Sequence, residues 1–231
     1  MDISQMPWGP DVSHWKPVRD WNALAASGAT FFGAKATEGA HTVDDQFERH
    51  RDGFRANCPT FTMAAWFHFF HAETDPVTQA EHFADVVGPL QPRERLCCDF
   101  EGKSYSNVPL PQMRAFGLRY LDAFYARLES LGVLAGTRPL IYTSDQHWQV
   151  IGDPAWPRAA GMDLWVPRYH LPDPAAPAKL PSPWATWQIL QYTDGSSGIH
   201  REVPGIGFCD CSVLRSRSAR VRAATSQSTR P

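Results

Sequence analysis

The sequence predicts an irregular α/β barrel, a TIM-like (β/α) fold of eight strands and about five helices. Short apolar runs that end in polar or acidic residues recur along the chain, as in parallel sheets that deliver functional groups at the carboxyl ends of their strands. Segments of helical period separate the first six of these runs. The length, 231 residues, suits one large domain of this kind.

The elements follow in order. Gly9-Pro10-Asp11-Val12-Ser13-His14-Trp15 is a first strand with a polar end, stopped by Lys16-Pro17. Residues 18–26 place Val18, Trp21, Leu24 and Ala25 at helical spacing, closed by Gly28. Residues 30–39 make a second strand ending in Lys35, Thr37 and Glu38. A helix over 44–57 takes Asp44 or Asp45 as its cap, with Phe47 and Phe54 facing inward. Residues 60–70 are a third, very apolar strand. Asp75-Pro76 then opens a helix through Val87, with proline in its first turn.

Leu96-Cys97-Cys98-Asp99-Phe100-Glu101 is the fourth strand. Residues 110–131 carry eight large apolar side chains and form the longest helix, buried on a broad face. A fifth strand covers 138–144 and a short helix 145–151. Strands over 162–169, 186–193 and 207–214 complete the count, with no helical pattern between them. The barrel is expected to occupy 1–214. Residues 215–231, with five arginines, no acid and little apolar content, are expected to be a disordered, solvated tail.

Composition narrows the partners. The net charge is −2, so no basic field favours nucleic acid, and no apolar run reaches the ~18 residues of a membrane span. Neither partner is expected, and a monomer is. Nine tryptophans fit either a large core or sugar-stacking platforms. Trp8, Trp15, Trp21, Trp148, Trp156 and Trp184 are read as packing. Cys58, Cys97-Cys98 and Cys209-x-Cys211 match no zinc spacing and read as buried thiols, with a bridge from Cys209 to Cys97 or Cys98 left open. His68 and His71 would face opposite sides of one strand, as core histidines rather than ligands. No metal and no cofactor is expected.

The acids recur at the strand ends: Asp11 on the first, Glu38 on the second, Asp99 and Glu101 on the fourth, and Asp210 on the eighth. Asp99 and Glu101 lie two apart, so on a strand they share a face with Cα atoms roughly 6.5–7 Å apart. Like charges that close separate in pKa, one ionised and the other holding its proton, which is the arrangement glycoside hydrolysis needs. Trp66, Phe67, Tyr142, Trp165, Tyr169 and Tyr192 stand beside these ends as candidate sugar-binding aromatics.

Seven motifs in this order resemble the family 25 glycoside hydrolases, lysozymes that cleave peptidoglycan, from about Gly9 to Leu214. They are Asp11-Val12-Ser13, Lys35-Ala36-Thr37-Glu38-Gly39 followed by Asp44 or Asp45 and Phe47, Phe67-His68-Phe69, Asp99-Phe100-Glu101, Trp165-Val166-Pro167-Arg168-Tyr169, Gln191-Tyr192 and Asp210. The resemblance implies N-acetylmuramidase activity on the β-1,4 bond between N-acetylmuramic acid and N-acetylglucosamine, with peptidoglycan strands as the partner. It implies Glu101 as general acid and Asp99 as its ionised partner, either a nucleophile or a stabiliser of the substrate's own attacking acetamido group. Asp11 and Asp210 would hold the acidic network and tune Glu101 upward. Lys35, Glu38, Phe67, Tyr142, Trp165, Tyr169, Gln191 and Tyr192 would bind substrate, with Lys35 and Glu38 paired at the rim.

Two positions depart from the family pattern. Phe67 stands where a tyrosine is usual, and Leu190 where a tryptophan commonly precedes Gln-Tyr. A chitinase-like barrel also uses D-x-E but carries further aspartates upstream, where this chain has Leu96-Cys97-Cys98. A non-catalytic glycan-binding barrel is the other alternative. The N-terminal MDISQMPWGPDVSHW shows no apolar h-region, so action on the cell wall would require release in the manner of a phage endolysin, or another export route.

Overall fold

Eight strands close a barrel in the structure, a computed structural model that describes residues 2–134, 136–169 and 179–215. They are β1 (Trp8–Val12), β2 (Phe31–Glu38), β3 (Met63–Phe69), β4 (Glu94–Asp99), β5 (Leu140–Tyr142), β6 (Asp163–Pro167), β7 (Ile189–Asp194) and β8 (Asp210–Leu214). Strands β1 to β7 run parallel, each beside the next. Strand β8 is antiparallel to both β7 and β1 and closes the ring.

That reversal has a local cause. No helix carries the chain from the end of β7 back to the floor; a ribbon pairing Glu202–Val203 with Gly207–Phe208 turns it at the mouth instead. The stretch 207–214 is therefore two strands rather than one. Asp210 begins a descending strand, which is why it shares a rim with the ends of the ascending ones.

Five helices clothe the barrel: α1 (Trp21–Ala26), α2 (Phe47–Asn57), α3 (Pro76–Val87), α4 (Leu110–Ser130) and α5 (Asp145–Val150). Helix α3 starts as the sequence predicts, with the Asp75 side chain accepting the Thr78 N–H and Pro76 in the first turn. Two starts differ. Helix α1 begins at Trp21, capped by Asp20. Helix α2 begins at Phe47, and Gln46 makes no side-chain cap. Buried Asp44 instead accepts the backbone N–H groups of His14 and Gln46, tying the loop after β1 to the helix start.

Alternation along the strands separates two cores. Phe31, Met63, Cys97, Leu140, Trp165 and Ile189 fill the barrel. Phe32, Trp66 and the outward residues of other strands pack under the helices, where Trp66 meets Phe47 and Phe54 edge-on at 5.6 and 5.7 Å. Trp66 is thus a core residue and no sugar platform. Trp15, expected to pack, is 79% exposed, because β1 ends at Val12 and the following turn projects into solvent. All five cysteines are buried free thiols. The expected tail, apart from Arg215, lies outside the described residues.

One glycine is essential to the mouth. A Cβ on Gly33 would stand 2.6 Å from the Asp11 Cβ and 3.0 Å from the Trp165 ring, so β2 gives up a side chain where these two enter the barrel.

Candidate active site

Strand register assembles the site. Asp11 on β1 lies opposite Asp210 on β8, which lies opposite Asp194 on β7. Directly opposed residues of an antiparallel pair stand roughly 4.5–5.5 Å apart at Cα, so three aspartates form one row. On the facing side Phe69, Asp99, Tyr142 and Trp165 are in register across β3 to β6.

Glu101 reaches the same cleft by a different route from the one expected. Strand β4 stops at Asp99, and Glu101 stands at the start of a 3₁₀ turn over Gly102–Tyr105. Phe100 points outward into the core between Phe70 and Tyr105, which leaves the acids on either side of it facing in. Fully buried Ser104 pins the turn: its Oγ accepts the Glu101 N–H at 3.1 Å and donates to the Asp99 carbonyl at 3.3 Å. Sequence reading missed Ser104, since its role exists only once the chain turns.

The cleft holds about 280 Å³, near the small end of ligand sites and about the scale of a sugar ring. Of the residues singled out from sequence, Asp11, Asp99, Glu101 and Asp210 line it, together with Lys35, Phe67, Tyr142, Trp165, Tyr169 and Gln191. Phe67 stands edge-on to Trp165 at 6.3 Å. Gln191 is buried and acts as a bridge: its Oε1 accepts from the Tyr142 hydroxyl at 2.8 Å, and its Nε2 donates to Asp11 Oδ1 at 3.0 Å. Two residues stand elsewhere. Tyr192 alternates outward from Gln191 and is buried beneath the helices, not in the cleft. Glu38 sits one step back, paired with Lys35 and bonded to His71 Nε2 at 2.9 Å.

The histidines also part. His68 is a core residue bonded to Thr37 and Gln79, as expected. His71 lies beyond the end of β3 and joins the rim through Glu38 and Glu73. Val12, Ser13, Phe69 and Asp194 also line the cleft, and the sequence motifs assign none of them a role there. For Asp194 a signal was present: Asp194-Gly195-Ser196-Ser197 is a turn sequence directly after an apolar strand.

Burial dominates the electrostatics. It pushes Asp11 well above the ordinary carboxyl range, with Asp210 adding to the rise and the Gln191 hydrogen bond opposing it. It does the same to Asp99, where the Glu101 charge adds further and Lys35 opposes. Glu101 rises through burial, moderated by Lys103 and Lys35. Asp210 is raised to about 7 by burial, then by Asp194 and Glu101. Asp194 behaves oppositely: burial would raise it, but hydrogen bonds from Ser196 and Ser197 hold it below its usual value. Asp99 is thus pushed up along with Glu101, whereas the sequence reading had it as the plainly ionised member. Asp11 Oδ2 and Asp99 Oδ1 are buried with no hydrogen-bond partner among the described residues.

The raised Asp210 has a thermodynamic consequence. Between the unfolded value near 3.8 and the folded value of about 7, the folded state binds more protons than the unfolded one. Stability therefore falls as pH rises through that window. Asp210→Asn is expected to stabilise the protein at pH 7 by about 1–3 kcal/mol while changing little near pH 4. Thermal melts at both pH values check this; equal losses between pH 4 and pH 7 in variant and wild type would contradict it.

A family model described as glycosyl hydrolases family 25 matches residues 10–199. The chain belongs to that family. Family relatives include Lysozyme M1 of Streptomyces globisporus, 27% identical over 190 residues that make up 78% of this chain and 60% of that protein. An N,O-diacetylmuramidase of Arthroderma benhamiae is 27% identical over 61% of this chain and 59% of its own length. The chain thus spans about 60% of the length of these curated relatives. The family fold is seen in the bacterial lysozyme of Streptomyces coelicolor, with a TM-score of 0.73 at 24% identity over 95% of this chain and 97% of that one.

Proposed function

We propose that this family 25 chain is an N-acetylmuramidase that hydrolyses the β-1,4 bond between N-acetylmuramic acid and N-acetylglucosamine in peptidoglycan. The observation that carries this reading is the convergence of Asp99, Glu101, Asp11 and Asp210 on one aromatic-lined cleft of a chain that belongs to a glycosidase family. Its named relatives, a lysozyme and a muramidase, support the choice of substrate.

In this mechanism Glu101, whose pKa burial raises, delivers its proton to the leaving glycosidic oxygen. Asp99 acts in its ionised form, which Lys35 favours against burial; it accepts a hydrogen bond from the N–H of the substrate's acetamido group through the oxygen that lacks a partner, and steadies that group as its oxygen attacks the anomeric carbon. Water then opens the cyclised intermediate, with Glu101 as base. Asp11, oriented by Gln191 and Tyr142, keeps the far wall of the cleft acidic. The proposed site of action is the cell wall; no helix among the described residues is long and apolar enough to cross a membrane.

Peptidoglycan and chitin hexasaccharide separate this reading from a chitinase-like one. Soluble muropeptides from the former and no cleavage of the latter are expected; efficient cleavage of chitin with intact peptidoglycan would refute it. Phe67 bears on tuning. Phe67→Tyr adds a hydroxyl to a cleft residue edge-on to Trp165, and is expected to change the rate by about two- to tenfold or to shift the pH optimum. A pH–rate profile superimposable on wild type would show the position to be silent.

A further inference from the structure

The barrel floor, opposite the cleft, contains a cavity of about 810 Å³ under the starts of the strands. Arg93, Arg95, Arg138 and Arg215 edge it, against two carboxylates among the described residues, Glu94 and Asp163. Both acids are engaged. Arg55 grips Glu94 with two hydrogen bonds of 2.7 and 2.8 Å, and Asp163 takes Arg95 at 2.8 Å and Arg138 at 3.3 Å.

The remaining cations have no carboxylate partner among the described residues. Arg93 uses one nitrogen, Nη1, on the carbonyls of Cys58, Pro59 and Phe61, and the Arg215 guanidinium lies over the Trp187 ring at 5.6 Å. The sequence after Arg215 continues with Arg217, Arg220, Arg222 and Arg230 and no acidic residue.

We propose that this floor cavity is a second binding site, for the phosphate groups of an anionic wall polymer. Guanidinium forks match phosphate oxygens in pairs. A structural role explains the Arg95–Asp163 pair that plugs the floor. It does not explain why Arg93 and Arg215 edge the same open basin. Phosphate is favoured over a carboxylate because several cations converge on one space. The choice of a wall polymer rests on the proposed substrate: a floor site would hold the chain to the wall while the opposite mouth stays open to glycan.

The test is a titration of the full chain with poly(glycerol phosphate), with double-stranded DNA of equal charge in parallel and Arg215→Gln, whose guanidinium makes no ion pair among the described residues, as the variant. The expected result is saturable, salt-sensitive binding of the phosphate polymer, weakened roughly tenfold in the variant, with an unchanged melting temperature and unchanged cleavage of a short soluble glycan. No binding, or equal binding by the variant, overturns the site. Tighter binding of DNA than of poly(glycerol phosphate) overturns the wall-polymer assignment. The binding readout is independent of catalysis, so a chain that binds the polymer but cleaves no glycan would refute the proposed function and leave this site standing.

Discussion

Glu101→Gln is expected to lower turnover of peptidoglycan by at least about 10²–10⁴-fold and to leave the fold intact. The amide preserves the shape of the side chain but cannot supply a proton to the leaving oxygen. The scaffold around it holds, because Ser104 engages the Glu101 backbone through both its N–H and its carbonyl. The substitution also removes a charge that raises both Asp99 and Asp210. The melting temperature at neutral pH is therefore expected to stay level or to rise. Initial rates of soluble product release, with melts on the same samples, check both parts. Near wild-type turnover would remove Glu101 as the acid; a collapsed melt would mean that its role is structural.

Asp99→Asn is expected to cost more than about 100-fold in kcat, the scale on which a preorganised charge beside the reacting centre acts. Asp99 is held by its register between Phe69 and Tyr142, so its position survives the substitution. What is lost is the carboxylate form available to Asp99, whose Oδ1 no group among the described residues satisfies. Asparagine offers a neutral oxygen or an N–H in its place, and neither balances positive charge developing in the substrate. Single-turnover kinetics with matched binding measurements are the check. A raised KM with kcat intact would assign Asp99 to binding alone.

These expectations rest on a fold that was largely legible in the sequence. Strand ends carrying acids, the Asp75-Pro76 helix start and the long apolar period of 110–131 each declared their element through local chemistry. The reversal of β8 did not, because it depends on the absence of a returning helix and on a ribbon of two-residue strands too short to show a period. For the site, alternation alone placed Asp99 and Glu101 on one side, although β4 ends between them. The same alternation was not applied to Gln191 and Tyr192, or to Trp66 and Phe67; in each pair one side chain enters the barrel and the other goes beneath the helices. The bridge from Tyr142 through Gln191 to Asp11 joins residues 49 and 180 positions apart, and only closure of the barrel brings them together.

The central claim is cleavage at N-acetylmuramic acid driven by Glu101. The most direct measurement is digestion of purified peptidoglycan by wild type and Glu101→Gln, followed by borohydride reduction and mass spectrometry of the products. New reducing ends on N-acetylmuramic acid with wild type and none with the variant are the predicted result. Reducing ends on N-acetylglucosamine, or intact glycan bound by both proteins, would contradict it.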